Sequence, residues 1–264
     1  MRNSYKDLRT LEEMKRGQVA IFVIVAIVLV GFVVALFFIP QARVLLTGAE
    51  APDPAAFMRS CIQPSLEDSL ETITQQGGSL NPSPSTLYGG TQIQYLCYIG
   101  ENYQPCIVQQ PLLVAHVEQE IKSALGGEVR TCVSELQSEF ERRGYTVVSD
   151  VGEFNVSIVP GRIAIEFDEP LTVSKESTQT FRSFSATQKS ELYNLLLIAT
   201  SIVEFESTLG DSETTLYIQY YPDLKIEKLR REGDTIYILT NVETEESFTF
   251  ATRSLVWPAG FGGQ

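Results

Sequence analysis

Few side chains in this sequence have the type and spacing that catalysis or metal binding requires. The only histidine, His116, lies one helical turn before Glu120, and such a pair could bind a metal ion or form a proton-transfer dyad. The same spacing is common in plain surface pairs on helices. The sequence contains no nucleophile-elbow, zinc-helix, phosphate-loop or dinucleotide-binding motif. We therefore expect a protein that is not an enzyme.

Clustered carboxylates are a second possible source of chemistry. They occur at Glu166, Asp168 and Glu169, and again at Glu204 and Glu206. Glycoside hydrolysis needs two carboxyl groups about 5–10 Å apart in a cleft, and spacing along the chain cannot establish that arrangement. In a chain with 33 acidic residues, such clusters also arise by chance. An extracytoplasmic hydrolase is accordingly the weakest of three hypotheses about function.

The four cysteines all lie in the first half of the chain, at Cys61, Cys97, Cys106 and Cys132. An even number in an extracellular segment predicts two disulfides, for which three pairings are possible. Apolar runs on both sides of Gly100-Glu101-Asn102 are typical of a hairpin, and this favours Cys97–Cys106 with Cys61–Cys132 as the remaining pair. The spacing Cys97-x8-Cys106 is unlike a zinc site, so we expect no metal and no other cofactor.

Two further groups suggest surface contacts. Tyr95, Tyr98 and Tyr103 surround the cysteine hairpin, and exposed tyrosines on a disulfide-closed loop suit contacts with a protein or a sugar. They could instead pack on adjoining helices. Asn155-Val156-Ser157 is a sequon for N-linked glycosylation within a predicted strand, and its use depends on the asparagine facing outward.

These residues would be held at a membrane by the run from Val19 to Ile39. Its 21 residues contain no charged or polar side chain and would span about 31 Å as a helix, which matches the hydrocarbon thickness of a bilayer. A core helix would show a polar face. The run is also longer than the apolar part of a cleaved secretory signal. It therefore predicts a single-pass signal-anchor in the cell membrane.

Charge sets the expected orientation. Six of the 20 basic and three of the 33 acidic residues lie at or before Arg43, and Lys15 and Arg16 adjoin the apolar run. This bias places the N-terminus in the cytoplasm and the rest of the chain outside the cell. The remainder has 14 basic and 30 acidic residues, a net charge of −16. Such a surface repels nucleic acid and anionic headgroups, so neither is an expected ligand.

The spacing of apolar residues divides the chain after the predicted membrane helix into three segments. Residues 40–55 form a stalk rich in proline and glycine, and residues 56–143 a helical subdomain stapled by Cys61–Cys132. Its last two helices, 111–125 and 128–143, are separated by Gly126-Gly127. Residues 144–264 form a strand-rich α+β subdomain. It contains hairpins at Pro160-Gly161 and Gly233-Asp234, one long helix from Thr187 to Leu209 and a strand at Tyr217–Tyr220. The predicted fold class is α+β with mostly antiparallel strands after an N-terminal membrane helix and a basic stub, 1–18.

The segment Lys15-Arg16-Gly17-Gln18, followed at once by the apolar run, resembles the class III signal of archaeal type IV pilin-like proteins. In that family a peptidase cuts after the glycine, which implies cleavage between Gly17 and Gln18 here. Phe22, the fifth residue after the cut, stands where many pilins have a glutamate that assists assembly. This departure argues against a pilus-forming subunit. Without processing, Lys15 and Arg16 would serve only to set the topology.

A second resemblance runs from the anchor to about residue 132. It is to a group of uncharacterised single-pass surface proteins of small-genome archaea, and it implies no particular activity. The motifs that carry it are Lys15-Arg16-Gly17-Gln18-Val19, Ser60-Cys61, Leu96-Cys97-Tyr98, Tyr103-x-Pro105-Cys106 and Pro111-Leu112-Leu113.

The first hypothesis is therefore a membrane-anchored extracytoplasmic surface protein that binds a partner or contributes to the cell envelope. The second is a pilin-like subunit processed after Gly17. The sequence leaves the partner, the physiological process and any homo-oligomer open.

Overall fold

The computed structural model describes residues 23–31, 53–149 and 152–256. The chain forms two compact units, Met1–Ala51 and Pro52–Gln264. In the first unit, residues 23–31 form helix α1, and all nine residues are exposed. The rest of the predicted membrane helix, Val19–Ile39, lies outside the described residues, as do the basic stub and nearly all of the stalk.

The second unit contains four helices among its described residues. They are α2 (Pro54–Gln75), α3 (Leu113–Arg142), α4 (Leu192–Leu209) and α5 (Thr215–Tyr220). Asp53 caps the N-terminus of helix α2, and its Oδ1 accepts a hydrogen bond from Ala55 N at 3.1 Å. It continues through Pro64 and ends before Gly77, which adopts a φ of +75°. A Cβ at Gly77 would lie 2.7 Å from Gln94 Cβ, so only glycine lets this turn approach the sheet.

Helix α3 is one continuous element, and the predicted break at Gly126-Gly127 is wrong. Two glycines cost about 2 kcal/mol of helix propensity, but packing outweighs this cost. The buried stripe repeats every three or four residues on both sides of the glycine pair, and α3 packs against α2 and against the strands at residues 146–149 and 155–159. Its residues are Leu113, Val117, Ile121, Leu125, Val129, Cys132, Val133, Leu136 and Phe140.

Twelve strands are described in the second unit. They are β1 (Ser85–Tyr88), β2 (Thr91–Tyr98), β3 (Ile107–Val108), β4 (Thr146–Ser149), β5 (Asn155–Val159), β6 (Arg162–Phe167), β7 (Leu171–Ser174), β8 (Thr178–Phe181), β9 (Phe184–Lys189), β10 (Leu224–Arg231), β11 (Asp234–Asn241) and β12 (Ser247–Arg253). The largest sheet has the order β1-β2-β12-β11-β10, with β3 beside β2. Two smaller sheets have the orders β4-β7-β8 and β5-β6-β9.

The predicted α+β class with mostly antiparallel strands is confirmed. The exception is β12, which pairs with β2 in parallel. This pairing joins the predicted helical subdomain, 56–143, to the predicted strand-rich subdomain, 144–264, through one sheet. The expected division at residue 143 therefore does not separate two cores.

Two other local predictions are wrong. Helix α4 begins at Leu192, because residues 184–189 pair with β6 as strand β9. Residues Tyr217–Tyr220 belong to the short helix α5 and not to a strand. Among the described helices, α4 is the one that is long and apolar enough to cross a membrane, with a mean hydropathy of 1.2. In this fold α4 instead packs on the large sheet, with eight buried residues.

Both predicted disulfides are present. Cys61 pairs with Cys132 and ties α2 to α3, and Cys97 pairs with Cys106 across the hairpin of β2 and β3. No free cysteine occurs in the described ranges.

Candidate functional site

The large sheet has two different faces, set by strand alternation. Its helix face carries Tyr237, Phe248 and Phe250, and the helices that pack against this face are α2 and α4. Its outer face carries an apolar cluster of Ile93, Tyr95, Ile236 and Ala251, flanked by Tyr88, Tyr98 and Ile238. The outer face is the side of the sheet away from these helices.

The three tyrosines that the sequence brings together have different environments. Tyr95 is 6% exposed within the outer-face cluster, and its ring centroid lies 5.0 Å from that of Tyr98. Tyr98 is half-buried. Tyr103 is 54% exposed in the turn closed by Cys97–Cys106. The structure therefore leaves Tyr98 and Tyr103 as the surface members, while Tyr95 belongs to the core.

The turn holds Tyr103 in a defined position. Its backbone has a φ of +61°, a conformation uncommon for a residue other than glycine. Tyr103 N donates to Val256 O at 3.0 Å, and Leu255 N donates to Gln104 O at 2.9 Å. The disulfide and these two hydrogen bonds attach the turn to the chain after β12. An aromatic side chain presented on such a support loses little conformational entropy when it contacts a partner.

A polar network lies beside Tyr95 on the outer face. Asp234 accepts hydrogen bonds from Thr86 Oγ1 at 3.0 Å and from Arg253 Nη1 at 2.7 Å. The Asp234 carboxylate raises the pKa of Arg253. Burial, reinforced by the charge of Asp234, raises the pKa of Tyr95 to about 12. Tyr95 is therefore a neutral phenol at physiological pH, and the ion pair beside it is already satisfied.

Two small cavities mark this unit. One, of about 100 Å³, opens on the outer face and is lined by Thr86, Leu87, Tyr88, Arg231, Glu232, Asp234 and Ile236. The other, of about 110 Å³, lies against α4 and is lined by Leu96, Val108, Gln110, Pro111, Leu113, Thr200, Val203 and Glu204. Sites for small molecules usually enclose roughly 300–1,000 Å³. These cavities fit the end of one side chain and are too small for a sugar or a cofactor.

A buried carboxyl group with a raised pKa lies between α4 and the helix face of the large sheet. Glu206 of α4 is 1% exposed and accepts a hydrogen bond from the hydroxyl of Tyr237, which is fully buried. Burial raises the pKa of Glu206, although Tyr237 and the positive charge of Lys228 act in the opposite direction. Lys228 Nζ lies 5.5 Å from the Tyr237 ring and donates to Asp211 Oδ1 at 2.6 Å.

The predicted carboxylate clusters have separate surroundings. Glu206 lines neither cavity, while its sequence neighbour Glu204 is exposed at the rim of the cavity beside α4. Glu169 accepts a hydrogen bond from Gly152 N at 2.7 Å, and Asp168 accepts one from Asn155 Nδ2 at 3.5 Å. The structure thus gives Asp168 and Glu169 roles in local hydrogen bonding.

The sequence contains a signal for the burial of Glu206, although the sequence analysis considers this residue only as part of a carboxylate cluster. Leu195, Ala199 and Ile202 lie at the spacing i, i+4, i+7 on the buried stripe of α4, and Glu206 continues it at i+11. A carboxyl group on an apolar stripe indicates a buried partner. That partner, Tyr237, is 31 residues away and could not be identified from local spacing.

His116 and Glu120 bind the turn after α2. His116 Nε2 lies 2.7 Å from Ser79 Oγ, and Leu80 N donates to Glu120 Oε2 at 2.8 Å. Ser79 is 4% exposed, and neither cavity reaches it. The two side chains therefore fasten this turn to α3, and the serine beside the histidine is not accessible to a substrate in this conformation.

One group of side chains has the spacing of metal ligands. The ligand atoms of Cys61, Glu128 and Cys132 all lie within 4.8 Å of one another. Both sulfur atoms are in the disulfide, however, and a disulfide supplies no thiolate for a metal.

No family model matches the chain, and no curated protein or solved structure matches it either.

Proposed function

We propose that this chain is a single-pass, membrane-anchored surface protein whose second unit lies outside the cell and binds a protein or envelope partner without catalysis. The observation that carries the proposal is the character of α1. Residues 23–31 are uncharged, seven of them are Val, Ile or Leu, and every residue is exposed. Removing seven such side chains from water is worth roughly 10–20 kcal/mol, which a bilayer would supply.

The disulfides support the extracytoplasmic side. Cys61–Cys132 and Cys97–Cys106 use all four cysteines of the chain. Disulfides of this structural kind form and persist in secreted and surface proteins and are rare in the cytosol. The basic residues before α1 agree with this orientation, because they favour a cytoplasmic N-terminus.

Partner binding is supported by the turn that carries Tyr103. Surface tyrosines on rigid supports are frequent at protein interfaces, since they offer a large contact area with few rotatable bonds. The small cavity volumes and the satisfied hydrogen bonds of His116 and Glu120 favour this function over a hydrolase.

The membrane proposal is tested by fractionating cells that express the full chain. We expect the protein in the membrane fraction after carbonate washing, and protease added to intact cells should digest the second unit. Under non-reducing denaturing conditions, a maleimide reagent should label no cysteine, and reduction should expose four. Recovery in the cytosol, or four thiols labelled without reduction, would contradict the proposal. The mass of the extracted protein also shows whether the chain begins at Met1 or at Gln18.

The partner proposal is tested by photocrosslinking on intact cells. A photoreactive phenylalanine analogue replaces Tyr103 in one variant and Val242 in a control. Val242 is similarly exposed, at 53%, in the turn between β11 and β12. We expect a defined crosslinked product from position 103 and not from position 242. Equal products from both positions would indicate random collision and would remove Tyr103 from the interface.

A further inference from the structure

The sequon Asn155-Val156-Ser157 lies on strand β5 of the second unit, beside helix α3. Strand β5 is the first strand of the sheet β5-β6-β9 and therefore has a sheet neighbour on one side only. Asn155 is its first residue and follows the irregular segment 152–154. Alternation buries Val156 and Ile158, whereas Asn155 is exposed. Use of the sequon requires an asparagine that faces outward, and Asn155 meets this condition.

The contacts of Asn155 leave its amide nitrogen available for reaction. Lys122 Nζ donates to Asn155 Oδ1 at 3.2 Å, which holds the carbonyl end of the amide. Asn155 Nδ2 donates to Asp168 Oδ2 at 3.5 Å, at the long limit for a hydrogen bond. A glycan on Nδ2 replaces one of its two hydrogens, so the other can still donate to Asp168. The modified side chain could therefore keep both contacts.

The sequence offers a single acceptor of this type. Asn155 is the one asparagine followed at the second position by Ser or Thr without an intervening proline, since Asn81 precedes Pro82. The acidic surface around it includes Asp168 and, opposite it on β6, Glu166.

We propose that Asn155 is an acceptor for an N-linked glycan, transferred from an oligosaccharide carried on a polyprenyl diphosphate. The bond that forms joins Asn155 Nδ2 to C1 of the first sugar. The bond that breaks joins C1 to the phosphate oxygen, which leaves with the electron pair as the polyprenyl diphosphate, and Nδ2 loses one proton. Nothing is oxidised or reduced. The inference depends on the proposed function, because the transfer takes place on the extracytoplasmic side.

The test expresses the full chain in a eukaryotic secretory pathway and measures its mobility before and after treatment with a peptide amidase that removes N-glycans. We expect a single glycan-dependent shift that the amidase abolishes, with aspartate left at position 155 by mass spectrometry. Asn155→Gln and Ser157→Ala should each lose the shift. Ser157→Thr keeps the sequon and should retain it. Because Ser157→Ala leaves the asparagine and its two contacts in place, loss of the shift there cannot result from losing those contacts.

A control variant separates this inference from the proposed topology. Gly89→Asn creates an Asn-Gly-Thr sequon in the hairpin turn between β1 and β2. Position 89 has a φ of +59°, which asparagine tolerates, and a Cβ there has no heavy atom within 4 Å. A shift from position 89 but not from Asn155 would overturn the glycan inference alone. No shift from either position would place the unit in the cytoplasm and overturn the proposed function as well.

Discussion

The two faces of the large sheet bury polar groups in different ways. On the helix face, Glu206 of α4 is buried against the sheet and meets a neutral partner, the Tyr237 hydroxyl, so burial favours its protonated form. On the outer face, Asp234 and Arg253 have side chains that are 16% and 26% exposed and remain an ion pair. The difference teaches that full burial beside a neutral hydroxyl favours a protonated carboxyl group, whereas a partly exposed carboxylate can keep a charged partner.

The comparison predicts that the largest loss of stability follows from truncating an aromatic residue of the helix face. Phe250 is fully buried and stacks on Tyr237 with ring centroids 5.1 Å apart. Phe250→Ala should lower the free energy of unfolding by about 3–5 kcal/mol. Tyr98→Ala on the outer face should cost about 1 kcal/mol, because Tyr98 is only half-buried. Urea denaturation measures both. Equal losses would mean that the outer face is as well covered as the helix face.

The next largest effect is a dependence of the free energy of unfolding on pH, which we expect from the helix face only. The raised pKa of Glu206 means that the folded protein holds a proton that the unfolded chain releases near its ordinary pKa of 4.5. This stabilisation is fully present below pH 4.5 and is lost as the pH rises toward the pKa of the folded state. The loss is about 1.4 kcal/mol for each pH unit in that window.

Glu206→Gln tests this dependence, because glutamine resembles the protonated acid and can accept the Tyr237 hydrogen bond. We expect a variant about as stable as the parent near pH 4.5 and more stable than the parent at neutral pH, because glutamine has no proton to release. Unfolding curves recorded across this range give the difference. Parallel pH profiles for the two proteins would show that Glu206 titrates normally.

A smaller effect is expected for the ion pair of the outer face. A double-mutant cycle with Asp234→Ala and Arg253→Ala should give a coupling free energy of about 0.5–1 kcal/mol. This coupling should weaken at high salt, since both side chains have access to solvent. A coupling that is larger and independent of salt would place the pair in an interior environment like that of Glu206.

The smallest effect on stability is expected at Tyr103. Because its side chain is 54% exposed, Tyr103→Ala should change the free energy of unfolding by less than about 0.5 kcal/mol. The same substitution should reduce binding to the partner found by crosslinking. A large loss of stability would mean that Tyr103 serves the turn itself and not a partner.

Much of the local structure could be predicted because the pattern and its cause were both local. The hairpin of β5 and β6 follows from two alternating runs joined by Pro160-Gly161. The buried stripe of α3 follows from apolar residues spaced three or four apart. Both disulfides followed from recognising a hairpin around Cys97 and Cys106.

Other features depend on distant partners. Gly126-Gly127 has a strong local preference for ending a helix, but the buried stripe of α3, which packs against α2, β4 and β5, continues past it. The segment 184–189 continues the alternating pattern of a strand only because β6 provides a partner. The parallel pairing of β2 with β12 joins residues about 150 positions apart, which no local pattern encodes.

The candidate site was predictable only in part for the same reason. The turn of Tyr103 could be located from its cysteines, whereas the burial of Tyr95 depends on Ile236 and Ala251, far along the chain. The roles of His116 and Glu120 depend on the turn at Ser79 and Leu80, which reaches α3 only after α2 has packed.

The place of β12 has a consequence for biosynthesis. This strand lies between β2 and β11 in the middle of the large sheet, yet it is synthesised after the other eleven described strands. Until Ser247–Arg253 is made, β2 and β11 each keep an unpaired edge, and the residues that β12 covers stay exposed to water. The nascent protein must therefore make β12 before the two halves of its large sheet can join, and a chain truncated before Ser247 would leave them apart.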